Sequence, residues 1–323
     1  MSHRQIAIVL WAPLAAATLA LAVAGCGSSS HDATAAVTTA TTSTLPGTGK
    51  PPVTIGDKNF TEQFVLGQLY RLALQAKGFS VSLNPNIGPT EVTMQALASG
   101  RLDMYPEYLS TWDDTIAGYT RKFNSVGDAY RAGQRYALAH GLELLDPTPF
   151  SDTDAIVVGS NYAAERNLNT IGDLRKVAST LTIGAPPQFQ QSPGGLPALE
   201  QAYGFIPAAF KPLDVGGQYQ AIDQGLVQAA DVNTTDGELV SGNYTLLDDP
   251  LRVFGWGNVV PVVSVKTADA EGPAFIATID KVSSLLTIDV MRQLNAAVDE
   301  GHEDPATAAQ QFLVSRGLLP ATS

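Results

Sequence analysis

From residue 53 onward, apolar and polar positions fall into short blocks whose period switches between that of a strand and that of a helix. Val53-Thr54-Ile55 is a β-rich run closed by Gly56. From Thr61 to Lys77, apolar residues recur at Phe64, Leu66, Leu69, Tyr70 and Ala73, the spacing of one helix face. Thr61 is placed to cap this helix and Gly78 to end it. Val81 to Leu83 reads as a second strand, Thr90 to Ser99 as a helix ended by Gly100, and Leu102 to Tyr105 as a third strand. This β-α-β-α-β order predicts a parallel sheet with helices on its faces.

The pattern recurs after a break near Pro147–Phe150. Ala155 to Val158, Leu181 to Gly184, Ala229 to Val232 and Thr245 to Leu247 read as strands, with helices at Leu196 to Tyr203 and Tyr219 to Gln224. The chain ends in three helical stretches: Pro273 to Leu285, Ile288 to Glu300 and Pro305 to Arg316. Two α/β blocks predict two lobes. Ligands of open α/β sheets sit beyond the C-terminal strand ends, so facing lobes make a cleft that closes by hinge motion.

The first 52 residues read differently. His3 and Arg4 precede an apolar run from Ile6 to Ala24. A positive start followed by an apolar stretch marks a secretory signal, although the run is also long enough for a membrane span. It ends in Val23-Ala24-Gly25-Cys26, which resembles a bacterial lipobox. That resemblance implies a signal peptide over residues 1–26 and a lipid anchor on Cys26, with the remainder outside the cytoplasmic membrane or in the periplasm. Residues 27–52 are rich in Ser, Thr, Gly and Pro. They bury too little to offset their ordering entropy and read as a flexible tether.

Composition narrows the function. The chain has 323 residues, 45% hydrophobic, which is enough for two core-bearing units. A formal net charge of -12 opposes nucleic acid, whose phosphates would be repelled. The single cysteine allows no internal disulfide. Of four histidines, His3 and His31 lie in the leader and tether, and His140 and His302 stand apart without metal-ligand spacing. There is no G-x-S-x-G elbow, P-loop or G-x-G-x-x-G. No cofactor or metal is expected. Paired carboxylates such as Asp154 and Glu107 leave an acid–base enzyme as an alternative.

Several motifs mark a cleft. Lys58-Asn59-Phe60-Thr61-Glu62-Gln63 opens the first helix, where free N–H groups and the Lys58 charge suit an anion. The competing reading is a helix cap with a solvated Lys58, and Glu62 and Gln63 as first-turn surface residues. Asp103-Met104-Tyr105-Pro106-Glu107-Tyr108, with Thr111 beyond it, follows the third strand. Tyr108 suits a ligand-facing ring or ordinary lobe packing. Tyr105 and Pro106 read as structural, and Tyr219 as core.

With Gly194-Gly195-Leu196, Tyr203-Gly204, Thr234-Thr235-Asp236-Gly237, Leu294-Asn295 and Gln311-Phe312-Leu313, these motifs resemble the ProX/OpuAC-like substrate-binding proteins of osmoprotectant ABC importers. The resemblance spans Val53 to Leu319. It implies a two-lobed type II periplasmic-binding-protein fold: residues 53–148 with 250–323 as lobe I and 149–249 as lobe II. It also implies a monomer that delivers a small polar solute to an ABC permease and its ATPase. A lipoprotein sensor is the other non-enzymatic alternative.

Betaine-binding members of that family hold a quaternary ammonium among several Tyr rings, and its carboxylate with Lys, Thr and Arg. Carried over by position, Tyr108 matches a cage tyrosine, and Lys58 and Thr111 match carboxylate contacts. Asp154, in the segment with Asp152, falls where a second Tyr is usual. Asn233, beside Thr234, falls at a third. Trp256 lies near a fourth, and Ser192 falls where the Arg is expected. Losing rings removes cation–π attraction of about 0.5–2 kcal/mol each, and losing Arg removes bidentate carboxylate recognition. The expected ligand site is therefore Lys58, Asn59, Gln63, Tyr108, Thr111, Asp152, Asp154, Ser192, Asn233, Thr234 and Trp256. It is expected to prefer a polyol, amine or other polar solute.

Overall fold

The computed structural model describes residues 44–321. The leader, Cys26 and most of the expected tether lie outside the described residues. The end of that tether departs from expectation. The Gly47 amide donates to Lys77 O at 2.9 Å and Lys50 Nζ donates to Ala270 O at 2.7 Å, so residues 44–50 are tied down. A side chain at Gly47 would run into the Gly78–Phe79 backbone, so this small residue serves packing. Composition predicts which segments lack their own core. It says nothing about docking on another.

The first block contains β1 (Val53–Gly56), α1 (Thr61–Ala76), β2 (Val81–Asn84), α2 (Thr90–Ala98) and β3 (Met104–Tyr108). A short turn α3 (Leu109–Thr111) then runs into a π-helical turn at Trp112–Ile116, followed by α4 (Val126–Ala139) and β4 (Leu142–Leu144). The second block contains β5 (Asp154–Gly159), α5 (Ser160–Arg166), β6 (Thr182–Ala185), α6 (Leu196–Tyr203), β7 (Ala209–Pro212), α7 (Gln218–Asp223), β8 (Ala229–Asn233) and β9 (Tyr244–Leu246). The chain then supplies β10 (Val259–Ser264) and α8 to α11 (Val265–Glu271, Pro273–Ser283, Ile288–Asp299, Pro305–Ser315).

Two five-stranded sheets result, ordered β2-β1-β3-β10-β4 and β7-β6-β8-β5-β9. They are mixed rather than parallel. β1 runs parallel to β2 and β3, but β10 is antiparallel to β3 and β4. β6 runs parallel to β7 and β8, and β5 is antiparallel to β8 and β9. The reversed strands β5 and β10 are the first that the chain builds after each passage between sheets. They enter from the side facing the other sheet, opposite to the local β-α-β strands.

Each sheet is covered on both faces. In the first, α1, α9, α10 and α11 bury Leu66, Leu69, Tyr70, Phe275, Ile279 and Leu313 against one face. Trp112, Ala129, Leu102, Tyr105 and Val262 fill the other. In the second, Ile156, Ile183, Phe189 and Leu199 form one core layer, and Val157, Tyr219 and Ala230 form the other. Tyr219 is core, as its pattern suggests.

Two local expectations change. The α1 cap position is Phe60, without a side-chain cap bond, and Thr61 Oγ1 donates instead to Asp299 Oδ1 at 2.7 Å. Tyr108 is the last residue of β3, one place inside the strand, because β10 pairs with it through Val259.

The passages between sheets are residues 145–153 and 247–258. Ser151 and Asn258 bridge them, the Asp152 amide donates to Gly257 O at 2.9 Å, and the Gly257 amide donates to Ser151 Oγ at 3.0 Å. A Cβ at Gly257 would overlap the Asp152 carbonyl, so only glycine lets the two crossings lie side by side.

Candidate functional site

On the first lobe the site starts where β1 gives way to α1. Lys58 is 5% exposed and its ammonium donates to Glu107 Oε1 at 2.5 Å. Glu107 points from β3 and is fully buried. Its Oε1 also accepts from the Tyr108 amide at 2.7 Å, and its Oε2 accepts from the Tyr105 and Thr90 hydroxyls, each at 3.2 Å. A buried carboxylate is stable only when paired and hydrogen-bonded, and this one has both. Lys58 Nζ also lies 4.7 Å from the centre of the Tyr108 ring and 5.8 Å from that of Phe60.

Tyr108 links this ion pair to the second lobe. Its hydroxyl donates to Glu62 Oε1 at 2.8 Å. Glu62 Oε2 accepts from Asn295 Nδ2 of α10 at 3.0 Å, and the same amide donates to Thr235 O of the second lobe at 2.9 Å. Arg292 Nε, one helical turn away, donates to Thr234 O at 2.8 Å. Gly237 backs onto α10 so closely that a Cβ there would sit 2.7 Å from Ala296 Cα. The run Thr234-Thr235-Asp236-Gly237 is thus seated on α10. Burial raises the pKa of Glu62, against the hydrogen bonds of Thr235, Asn295 and Tyr108 and the charge of Lys58.

On the second lobe, β5 and β8 pair Asp154 with Asn233 and Ile156 with Asp231. Directly opposed residues, and those two positions on, share a sheet face, so Asp154, Asn233 and Asp231 line one strip. Asp231 is 7% exposed with its Oδ1 lacking a protein partner; burial, then the charges of Asp154 and Asp236, lift its pKa to about 9. Asp154 keeps an open face toward water, yet the surrounding protein mass raises its pKa too. Asp236 Oδ2 accepts from the Tyr219 hydroxyl at 3.0 Å and the Asn233 amide at 3.2 Å; burial still brings its pKa to about 6. Asp152 lies in the crossing between them. Burial and then the Glu62 charge push its carboxyl well up, and burial, then the charges of Glu62 and Asp152, raise the Tyr108 hydroxyl. Carboxyls of both lobes therefore meet across this boundary.

The structure brings together Lys58, Gln63, Tyr108, Asp152, Asp154, Asn233 and Thr234. Gln63 is fully buried and its Oε1 accepts from the Lys58 amide at 3.3 Å. Thr234 Oγ1 donates to Ser151 O at 2.7 Å and accepts from the Thr153 amide at 3.1 Å, fixing the crossing. Asn59 is exposed at the start of α1, and Thr111 is half-buried in the turn after β3. Ser192 is held in its own loop, its amide donating to Gln188 O at 3.0 Å. Trp256 is engaged elsewhere. Its Nε1 donates to Phe123 O at 3.0 Å, and the Arg252 guanidinium covers its ring at 4.5 Å. Two surface hollows, of about 570 Å³ beside Asn161 and Asn243 and about 300 Å³ between α10 and α11, lie apart from these residues.

Glu62, Glu107, Asn295, Arg292, Asp231 and Asp236 are the members that sequence reasoning misses or assigns elsewhere. The alternation Asp231–Asn233 carried a signal for one of them. Glu62 stood inside the motif but looked like an ordinary first-turn acid.

Two α/β lobes joined by paired crossings, with polar side chains converging between them, define a solute-binding protein. Residues 51–315 match the family described as the substrate binding domain of the ABC-type glycine betaine transport system, and the chain belongs to that family. A glycine-betaine-binding protein of Pseudomonas aeruginosa is 30% identical over 276 residues, covering 82% of this chain and 88% of that one. The crystal structure of a glycine betaine/carnitine/choline ABC transporter protein superposes with a TM-score of 0.77 at 21% identity, covering 82% of this chain and 99% of that one. Apo YehZ from Escherichia coli gives a TM-score of 0.73 at 26% identity, covering 83% and 99%. The protein is a substrate-binding component of an ABC transporter and not an enzyme. The acid–base alternative falls with that, and Glu107 is in any case committed to Lys58.

Proposed function

We propose that this protein captures a small polar solute bearing N–H or O–H donors, in preference to a fully methylated ammonium, and delivers it to a permease driven by an ATPase. In this reading residues 53–148 with 250–323 form one jaw and residues 149–249 the other, and closure traps the solute between them. Cys26 anchors the protein to the outer face of the cytoplasmic membrane or within the periplasm, where it acts as a monomer.

The observation that carries the ligand class is the β5–β8 register, which sets Asp154, Asn233 and Asp231 on one strip of the second lobe. Carboxyl groups, ionised or protonated, and carboxamides accept hydrogen bonds from hydroxyls and from amines that keep their protons. A quaternary ammonium has no such proton and gains most from aromatic faces. The relative from Pseudomonas aeruginosa is named for glycine betaine, which supports the opposite ligand. Calorimetric titration of the purified protein with glycine betaine, choline, carnitine, polyols, sugars and polyamines decides between them. Tight binding of a polyol or a primary amine, with betaine silent, is the expected result. Micromolar betaine binding refutes the ligand class and leaves the transport role standing.

A further inference from the structure

The polar strip of the second lobe ends inward on a buried acid. Asp231 is 7% exposed, its Oδ1 has no protein partner, and none of the three ion pairs among the described residues includes it. Strand alternation sets it on the face of β8 that carries Ala229, with Ile156 of β5 directly opposite. Both of those residues belong to an apolar layer with Ile183, Phe189 and Leu199. Asp231 stands where that layer meets the strip. Two residues on along β8 and two back along β5, Asn233 and Asp154 are exposed. The charges that act on Asp231 are those of Asp154 and of Asp236, in the loop after β8, and both are acidic. β6, the other neighbour of β8 in the sheet, brings Thr182 to Ala185, none of which ionises. At the lobe boundary Lys58 is paired with Glu107, and Arg292 donates to Thr234 O.

We infer that Asp231 meets the solute in its acid form, as a hydrogen-bond donor at the inner end of the strip, and that the solute is an uncharged polyhydroxy compound. This rests on the ligand class proposed above and narrows it to hydroxyls. An unpaired carboxylate beside an apolar layer and two like charges is costly, and such a group keeps its proton instead. Burial, then the charges of Asp154 and Asp236, hold its pKa at about 9. A protonated carboxyl donates through one oxygen and accepts through the other. A buried donor needs an acceptor, and leaving it unmatched is costly. A solute hydroxyl is both acceptor and donor. One hydroxyl can accept from the Asp231 O–H while its neighbour donates to Asp154 or Asn233. An ammonium group has no lone pair for that proton and meets Asp231 only after the proton has left.

The test titrates the purified protein and its Asp231→Asn and Asp231→Leu variants by calorimetry. The probes are erythritol, xylitol, sorbitol and myo-inositol, with putrescine as the amine. Circular dichroism establishes folding, and Asp231→Ala takes the place of Asp231→Leu if that variant does not fold. The expected result is binding of at least one polyol by the unaltered protein. Asn keeps a donor and an acceptor, so Asp231→Asn should hold that affinity within about threefold, whereas Asp231→Leu should lose about tenfold or more. The affinity of the unaltered protein should fall as pH rises past about 9, where Asp231 gives up its proton, and Asp231→Asn should remove that fall. Equal polyol affinity in the folded Leu or Ala variant overturns the inference. So does putrescine binding that Asp231→Asn abolishes, because Asp231 then acts as a carboxylate, and so does the failure of every polyol. The ligand class above is judged on whether the unaltered protein binds betaine. This inference is judged on polyol against putrescine and on the Asp231 variants, so it can fail while that class stands.

Discussion

At the scale of single residues, the protein is notable for carboxyl groups buried without a salt-bridge partner. Asp113, on the π-helical turn after α3, is 1% exposed, and neither of its oxygens has a protein partner. Burial, then the charge of Asp114, raises its pKa to about 7, against the pull of Arg121. Asp57, whose Oδ1 accepts from the Asn86 amide, is likewise raised by burial to about 7. Between the unfolded value near 4 and these folded values, the native state holds more protons than the unfolded one. Stability from these groups is therefore full in acid and is lost as pH rises from about 4 to 7. The melting temperature should be higher at pH 5 than at pH 8. Asp113→Asn, which cannot ionise, should flatten that slope and raise stability at pH 8. Calorimetric melts of both proteins across this range check it. An unchanged slope in the variant would show that Asp113 is solvated in the native state.

At the scale of elements, glycines rather than large residues fix the two junctions between lobes. Gly257 lies against Asp152 in the paired crossings, and Gly237 against Ala296 of α10. The consequences of filling them differ. Gly257→Ala sets a methyl on a backbone carbonyl that two strands hold in place, so it should cost roughly 3 kcal/mol or more. Chemical denaturation should show this as a lower midpoint. Gly237→Ala sets a methyl on a contact that the proposed hinge motion would relieve. It should leave the melting temperature nearly unchanged but weaken solute binding by about tenfold, because it penalises only the closed arrangement. Equal losses of stability and affinity in Gly237→Ala would mean that the contact belongs to the fold rather than to closure.

At the scale of the whole molecule, Glu62 acts on Asp152 by its charge, and Thr234 and Thr235 are seated on Arg292 and Asn295, contacts that the proposed closure of the lobes would make. Both carboxyls have raised pKa values in this arrangement, by burial first, so it binds protons more tightly than an open one in which water reaches them. Mild acid should therefore favour closure, and solute affinity should rise as pH falls toward the ordinary carboxylate range. Small-angle scattering of the solute-free protein at pH 5 and pH 8 reads this directly as a smaller radius of gyration at pH 5. A radius independent of pH would show that the carboxyl pair does not bias the hinge.

The sequence by itself determined the two α/β blocks and the helices α1, α2, α6, α7 and α9 to α11, though not α4, α5 or α8, and it set Lys58, Tyr108, Asp154 and Asn233 in candidate motifs. Those features are local: periodicity, β-rich runs and turn residues act within a few positions of one another. The tertiary structure decided the rest. Antiparallel insertion of β5 and β10 depends on where the chain crosses between lobes, which no window of sequence records. The ion pair of Lys58 with Glu107 spans 49 positions and the Asn295–Glu62 bond spans 233. A charge that looks free for a ligand in the motif is thereby spent inside the protein, and an acid that looks like surface becomes part of the boundary between lobes. Burial and pairing are properties of the assembled chain, because each depends on atoms that only folding brings within a few ångströms.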